Sequence, residues 1–135
     1  MKRIVLDASA VMTFSANRPG AEKVEQLIQL ALDRKRELLM CVVNWGEVYY
    51  SVWRDRGPGF ARHILAQMAQ LPILLVPADV DLARHAAEFK ANFNLPYVDG
   101  FAAALAAARK ASLATSDKDF ARVERHVRIL WTTAP

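Results

Sequence analysis

Short apolar runs alternate with helical patterns along the whole chain, and this alternation limits the possible folds more than any other feature. Apolar runs with the length of buried strands cover residues 4–6, 38–43, 73–76, 113–115 and 127–131. Helical patterns separate them, at residues 9–15, 21–32, 44–56, 59–71, 82–93, 99–110 and 120–124. Parallel strands need crossover connections of this kind. We therefore expect an α/β sandwich with a mostly parallel sheet of four or five strands.

The length and composition indicate one domain. The chain has 135 residues, 53% of them hydrophobic, which is enough to bury a single continuous core over residues 1–135. Cys41, the only cysteine, lies in an apolar run and has no partner for an intrachain disulfide. The first residues contain no apolar stretch of the length of a signal peptide or membrane span. We expect a cytoplasmic protein that does not engage a membrane.

Four acidic residues lie at transitions between predicted strands and helices. They are Asp7, Glu47, Asp99 and Asp117. In a parallel sheet the carboxyl ends of the strands and the amino ends of the following helices share one edge, where such folds build their sites. Carboxylates that converge there need a cation.

Helix capping is the competing interpretation for each acid taken singly, because carboxylates are favoured at helix amino ends. Two pairs have the spacing of a capping box, and two further acids suit an N-cap or first-turn position. These residues are Asn44 with Glu47, Ser116 with Asp119, and the single acids Asp7 and Asp99.

The acids also lie within four ordered segments that together resemble a known family, the PIN-domain nucleases, and most closely the VapC-type toxins of toxin–antitoxin pairs. The segments are Leu6-Asp7-Ala8-Ser9, Trp45-Gly46-Glu47-Val48, Tyr97-Val98-Asp99-Gly100-Phe101-Ala102-Ala103-Ala104 and Thr115-Ser116-Asp117-Lys118-Asp119-Phe120. The chain departs from the family pattern at Gly100, where Ala is common, and at Ser116, where Gly is usual.

The resemblance implies a PIN-like α/β/α sandwich and a set of site residues. The implied catalytic residues are Asp7, Glu47, Asp99 and Asp117; Asp7, Asp99 and Asp117 are the implied metal ligands, with Ser9, Thr115 and Asp119 in auxiliary roles. Whether Asp117 or Asp119 is the nearer metal ligand stays open at this stage.

The chemistry of the acids favours Mg²⁺, with Mn²⁺ as a substitute, because hard divalent ions prefer carboxylate and water oxygens. Zinc would favour His or Cys, but His63, His85 and His126 are dispersed and show no ligand spacing. We expect the metal to activate a water that hydrolyses an RNA phosphodiester bond, with Glu47 orienting the water or completing the metal shell.

Four aromatic residues lie close together in one predicted helix. Trp45, Tyr49 and Trp53 share one face, and Tyr50 lies beside them. Such a stripe is typical either of core packing or of a partner surface. The resemblance implies a homodimer and a VapB-type antitoxin whose tail covers the nuclease pocket.

The surface charge is compatible with an RNA partner. Lys and Arg number 18 against 14 Asp and Glu, and ten of those acids remain if the four candidate site residues face a pocket. Six cations are candidates for phosphate contacts, although a solvated charged face is the favoured explanation for any one of them. They are Arg34, Lys35, Arg36, Arg54, Arg56 and Arg62.

Other enzyme classes fit poorly. A haloacid-dehalogenase-type phosphatase needs an Asp where Ser9 stands, a receiver domain needs paired acids after its first strand, and no glycine-rich nucleotide loop is present. The remaining alternative is a non-catalytic PIN-like module that binds RNA or a protein.

Overall fold

A computed structural model of the protein describes residues 2–133. It contains five strands, namely β1 (Lys2–Leu6), β2 (Arg36–Cys41), β3 (Ile73–Val76), β4 (Ser112–Thr115) and β5 (Ile129–Trp131). Six α-helices connect them, namely α1 (Ala8–Ser15), α2 (Ala21–Leu32), α3 (Val42–Arg56), α4 (Pro58–Met68), α5 (Val80–Phe93) and α6 (Tyr97–Arg109). A 3₁₀ helix, Lys118–Val123, lies between β4 and β5.

The strands form one sheet in the order β3-β2-β1-β4-β5, and every neighbouring pair is parallel. The chain moves outward from β1 to β3 on one side and returns to place β4 on the other side of β1. The strand order therefore reverses between β1 and β4. In parallel α/β sheets, a crevice opens at such a point beyond the carboxyl ends of the strands. The prediction of an α/β sandwich with a mostly parallel sheet of four or five strands is confirmed, and the sheet has five strands, all parallel.

Two hydrophobic cores cover the two faces of the sheet. Ile4 and Leu6 of β1 pack in the core formed with helices α1 to α4, whereas Val5 packs in the core formed with α5 and α6. Because successive side chains of a strand point to opposite faces, a strand buried on both sides is apolar at every position. This explains the continuous apolar runs of β1 and β2.

The boundary between β2 and α3 differs from the sequence prediction. The strand ends at Cys41, and Val42 and Val43 form the first turn of the helix. An apolar run does not distinguish the end of a strand from the first turn of a buried helix. The capping box predicted for Asn44 and Glu47 is consequently wrong, because both residues lie inside α3.

Strand β3 is not the buried strand that its composition predicted. It is hydrogen-bonded only to β2 and forms one edge of the sheet. Leu74 is 52% exposed and Leu75 is 43% exposed, so both faces of this edge strand are partly uncovered. Composition alone does not give the position of a strand in its sheet.

The other helix starts follow from local capping. Asp79 caps α5 by accepting a hydrogen bond from the backbone N–H of Leu82 at 2.8 Å. Asp117, rather than Ser116, caps the 3₁₀ helix, and Asp99 lies in the first turn of α6 rather than at its N-cap. Between residues 2 and 133, no helix combines the length and hydropathy that crossing a bilayer requires.

Candidate metal centre

Asp7 lies directly after β1, at the point where the strand order reverses, and is only 3% exposed. Its Oδ1 accepts a hydrogen bond from the backbone N–H of Ala10 at 2.9 Å, which caps α1. The Ser9 hydroxyl donates to the same oxygen at 2.7 Å, and the Thr115 hydroxyl donates to Oδ2. Capping and site placement therefore coexist in one residue.

Two backbone N–H groups complete this network from the β4 side. Ser116 N–H donates to Ser9 Oγ at 3.1 Å, and Asp117 N–H donates to Thr115 Oγ1 at 2.9 Å. Both hydroxyl groups thus accept from the segment after β4 and donate to Asp7. Each carboxylate oxygen has two lone pairs. Ser9 Oγ also lies 3.0 Å from Oδ2, so donors of this network contact both oxygens of Asp7.

Three further carboxylates meet beside this network. Asp99, Asp117 and Asp119 can each offer one oxygen such that all three atoms lie within 4.8 Å of one another. Asp99 comes from the first turn of α6, whereas Asp117 and Asp119 come from the start of the 3₁₀ helix. The Asp119 backbone N–H donates to Asp117 Oδ1 at 2.9 Å, which fixes the spacing of these two acids.

Burial and mutual repulsion raise the pKa of several of these acids. Burial, and then the charge of Asp117, raises the pKa of Asp99 to about 8. Burial also raises the pKa of Asp7 to about 6, although its hydrogen bonds to Thr115, Ala10 and Ser9 oppose the rise. Without a cation, the cluster therefore holds protons near neutral pH.

Glu47 faces the same crevice from α3. Burial is the main cause that raises its pKa, followed by the charge of Asp7 and, more weakly, that of Asp117. The structure therefore brings all four predicted catalytic residues together, with Asp119 added. We name these five residues, Asp7, Glu47, Asp99, Asp117 and Asp119, the acidic crevice.

Asn44 is a site residue that sequence reasoning did not identify. It is fully buried in α3, and its Nδ2 donates to the carbonyl oxygen of Val98 at 3.1 Å, directly before Asp99. A hydrogen bond from its side chain also opposes the rise in the pKa of Glu47. Asn44 therefore links α3 to the first turn of α6, and its spacing from Glu47 in the sequence gave no sign of this role.

The donor set of the acidic crevice fits a hard divalent cation. The three-residue cluster found within residues 2–133 consists of carboxylates alone, without His or Cys. Arg122 is the nearest paired cation, and its guanidinium lies 3.5 Å from Asp119 Oδ1 while also donating to the carbonyl oxygen of Asn94 at 2.8 Å. One exposed guanidinium does not balance five acids, so an oxygen-seeking cation such as Mg²⁺ or Mn²⁺ suits the site.

The aromatic stripe of α3 is not buried in the core. Tyr50 is 52% exposed and Trp53 is 42% exposed, whereas Trp45 and Tyr49 are half-buried. Tyr49 stacks on Trp45 at a centroid distance of 6.2 Å and meets Trp53 edge-on at 5.6 Å. We name these four residues the aromatic surface. Core packing accounts for Trp45, which contacts the core under α3, but not for Tyr50 or Trp53.

Solved structures with the same architecture come from several organisms. A chain of VapBC2 from Rickettsia felis, bound to a promoter DNA fragment, superposes with a TM-score of 0.74 at 13% identity, over 96% of this chain and 98% of that one. A chain of DNA-bound VapBC from Salmonella typhimurium gives a TM-score of 0.73 at 16% identity, over 98% and 99%. VapC20 from Mycobacterium tuberculosis, a sarcin-ricin loop cleaving toxin, gives 0.69 at 14% identity, over 92% and 95%.

The sheet order and the acids at its carboxyl edge define a parallel α/β protein with an acidic candidate metal centre. The chain belongs to the PIN domain family, whose pattern matches residues 4–126. In a comparison with curated proteins, no sequence was significantly similar to this chain.

Proposed function

We propose that this protein is a metal-dependent endoribonuclease and the toxin of a VapBC-type toxin–antitoxin pair. The observation that carries the proposal is the convergence of five carboxylates at the point where the strand order reverses. A cluster of buried like charges destabilises a fold unless a bound cation or protons neutralise it. We take this cost as support for a functional site.

Asp99 and Asp117 are the proposed central ligands of Mg²⁺ or Mn²⁺. Asp119 shares the 4.8 Å cluster with them, which favours it as a further ligand rather than a remote auxiliary acid. Asp7 is proposed as a further ligand through Oδ2, with the Ser9 hydroxyl donating to Oδ1 alone when the ion is bound. When bound, the ion would lower the pKa of a water and neutralise charge on the scissile phosphate.

The remaining residues of the site position these groups. Ser9 and Thr115 hold the Asp7 carboxylate in one orientation, since both donate to it and both are fixed by backbone N–H groups of the β4 side. Glu47 is proposed to orient the attacking water and to accept its proton, because a carboxyl with a raised pKa is a better base near neutral pH. Asn44 holds Glu47 relative to the turn that carries Asp99.

The structural neighbours support the choice of RNA and of a toxin role. One of them is a toxin that cleaves the sarcin-ricin loop, and two others are VapBC complexes. A VapB-type antitoxin is accordingly the proposed partner of this chain, and the cytoplasm is its proposed location. The single-domain organisation over residues 1–135 stays a prediction.

The aromatic surface is the proposed contact area for the antitoxin or for a second copy in a homodimer. Aromatic side chains that are partly exposed and lie together are typical of the centres of interfaces. Replacing Trp53 by Ala should leave the fold intact and weaken dimer or antitoxin binding by at least about tenfold. Unchanged association in sedimentation and antitoxin-binding measurements would exclude the aromatic surface from the interface.

The enzymatic proposal is tested by incubating purified, antitoxin-free protein with total cellular RNA in the presence of Mg²⁺, Mn²⁺ or a chelator. We expect discrete cuts with either ion and none with the chelator. The Asp7→Asn variant should lose these cuts, whereas Asp81→Asn, a matched change in an exposed acid on α5, should retain them. RNA that is bound but not cut under every condition would instead indicate the non-catalytic binding module.

A further inference from the structure

A cationic pocket of about 700 Å³ opens at the amino edge of the sheet, opposite the acidic crevice. We name it the amino-edge pocket. Among residues 2–133, no carboxylate contributes to its wall. The cations that line it are Lys2, Arg3, Arg109, Lys110 and Arg128.

Parallel strand order assembles this pocket from three distant parts of the sequence. Lys2 begins β1, Arg109 ends α6, and Arg128 directly precedes β5. In a parallel sheet these strand starts and the helix end share one edge. Lys2 is also paired with Arg36 in the β1–β2 ladder, which extends the row of cations to a further strand.

Structural roles account for only part of this charge. The carboxyl end of α6 carries a partial negative charge, which favours Arg109 and Lys110 at that position. Lys2, Arg3 and Arg128 lie outside the helix, although the Arg3 guanidinium donates to the carbonyl oxygen of Arg109 at 3.5 Å. Of the five cations, only Arg3 has a carboxylate within 4.0 Å in the described part of the chain, namely Glu37 at 3.9 Å, in a partly exposed pair that contributes little.

The five cations also dominate the charge balance of the protein. The net charge of the chain is +4, so without these five residues it would be 4 − 5 = −1. Such a concentration of like charge at one edge repels itself and creates a strong local field for polyanions. Three other pockets of the described residues are each lined by at most two Lys or Arg residues.

We propose that the amino-edge pocket binds the phosphodiester backbone of the RNA that the acidic crevice cleaves. This inference rests on the proposed function for the identity of the RNA. Strand β1 has five residues and spans about 17 Å, which separates the two sites. An RNA hairpin of about ten base pairs is longer than this strand and offers phosphates beyond the crevice, whereas a trinucleotide centred on the scissile bond reaches only the crevice.

The test compares two triple variants that each lower the net charge from +4 to +1. The amino-edge triple is Lys2→Gln, Lys110→Asn and Arg128→Gln; Asn is chosen because Lys110 has a φ of 51° and Asn tolerates that conformation. The control triple is Lys23→Gln, Arg84→Gln and Lys90→Gln, all exposed on α2 and α5. Binding of the hairpin is measured in chelator over a series of salt concentrations, and cleavage of hairpin and trinucleotide is measured with Mn²⁺.

We expect the amino-edge triple to bind the hairpin at least about tenfold more weakly. The salt slope of log K should fall by about 2–3, since each lost phosphate contact lowers it by ~0.7–0.9. Its kcat/KM should fall on the hairpin but not on the trinucleotide. The control triple should bind within about twofold of the wild type, because its charges are dispersed. Equal losses in both triples, or no loss in the amino-edge triple, would overturn the inference.

The two proposals fail in different ways. If neither substrate is cleaved but hairpin binding still depends on the amino-edge triple, the nuclease proposal fails and the binding site stands. If both substrates are cleaved and the amino-edge triple binds the hairpin as tightly as the wild type, only the proposal of an RNA-binding site at the amino edge fails. If the amino-edge triple does not fold, the single variant Arg128→Gln, at an exposed residue, is compared with the wild type instead. The salt slope of log K for hairpin binding should then change by ~0.7–0.9.

Discussion

Replacing Asp99 by Asn is expected to abolish RNA cleavage and, at the same time, to stabilise the metal-free protein at neutral pH. Activity should fall by at least about a hundredfold, because the variant loses a proposed metal ligand of the three-carboxylate cluster. The stability gain follows from the pKa of Asp99, which burial and the charge of Asp117 raise to about 8. A loss of activity coupled to a gain in stability distinguishes a functional acid from a structural one.

The sign of the stability effect follows from proton linkage. Between the ordinary Asp pKa of 3.8 and the folded value of about 8, the folded protein holds a proton on Asp99 that the unfolded chain has released. The contribution of Asp99 to the free energy of unfolding is therefore full below pH 4 and is lost as the pH rises to 8. The amide of the Asp99→Asn variant does not titrate, so its free energy of unfolding should decline less between pH 4 and pH 8. At pH 8 the metal-free variant should be more stable than the wild type by on the order of a few kcal/mol.

Urea denaturation of metal-free wild type and Asp99→Asn at a series of pH values measures this effect. Asp7 should still cause some decline in the variant up to about pH 6, because burial raises its own pKa to about 6. Saturating Mn²⁺ should remove the decline in the wild type, since the ion replaces the proton. A variant that is less stable than the wild type at pH 8 would indicate that Asp99 has a structural role.

Replacing Gly100 by Ala is expected to destabilise the protein by about 2 kcal/mol. A Cβ at this position would lie 2.6 Å from the carbonyl oxygen of Ala86 and 3.3 Å from its carbonyl carbon. Both atoms belong to the backbone of α5 and cannot move aside as a flexible side chain would. Overpacking costs about 1–3 kcal/mol, and a contact of 2.6 Å with backbone belongs at the upper end of that range. Subtracting the gain of up to ~1 kcal/mol in helix propensity leaves a net loss of about 2 kcal/mol.

Gly46→Ala provides the matched control. Gly46 also lies inside a helix, but an added Cβ there meets no atom within 4 Å. The control should gain up to about 1 kcal/mol in the free energy of unfolding, from helix propensity alone. Equal or greater stability of Gly100→Ala in the same denaturation measurement would contradict the close contact between α5 and α6.

Gly100 also shows what the resemblance could not predict. The sequence interpretation treated it only as a departure from the Ala that is common in the family. The structure gives it a packing role, because it lets α6 approach the backbone of α5 directly beside Asp99. Propensity is a local property, whereas the close approach depends on how two helices cross.

The fold was predictable because strand and helix patterns differ in length and period. One error lies where the apolar run of a strand continues into the first turn of a helix, as at Val42 and Val43. Another lies where the position of a strand in the sheet determines its exposure, as for Leu74 and Leu75. The acidic crevice was predictable for a related reason. Most of its acids follow a strand or begin a helix, and parallel topology brings such positions to one edge.

Two features of the sites could not be predicted from sequence spacing. Asn44 has the spacing of a capping residue relative to Glu47, and only the early start of α3 turns it into a link to Val98. The amino-edge pocket combines Lys2, Arg109 and Arg128, which are far apart in the chain and meet only because β4 returns to lie beside β1. Both depend on contacts between elements, which local patterns do not contain.

The central claim, that the acidic crevice is a divalent-metal centre, is tested most directly by calorimetric titration of Mn²⁺ into chelator-treated protein at pH 7. Titrations in two buffers of different ionisation enthalpy report the number of protons released. The account predicts binding with proton release in the wild type, because Asp99 must lose its proton to accept the ion. It also predicts loss of binding in Asp99→Asn. Absence of binding by the wild type at millimolar Mn²⁺, or equal binding by both proteins, would contradict it.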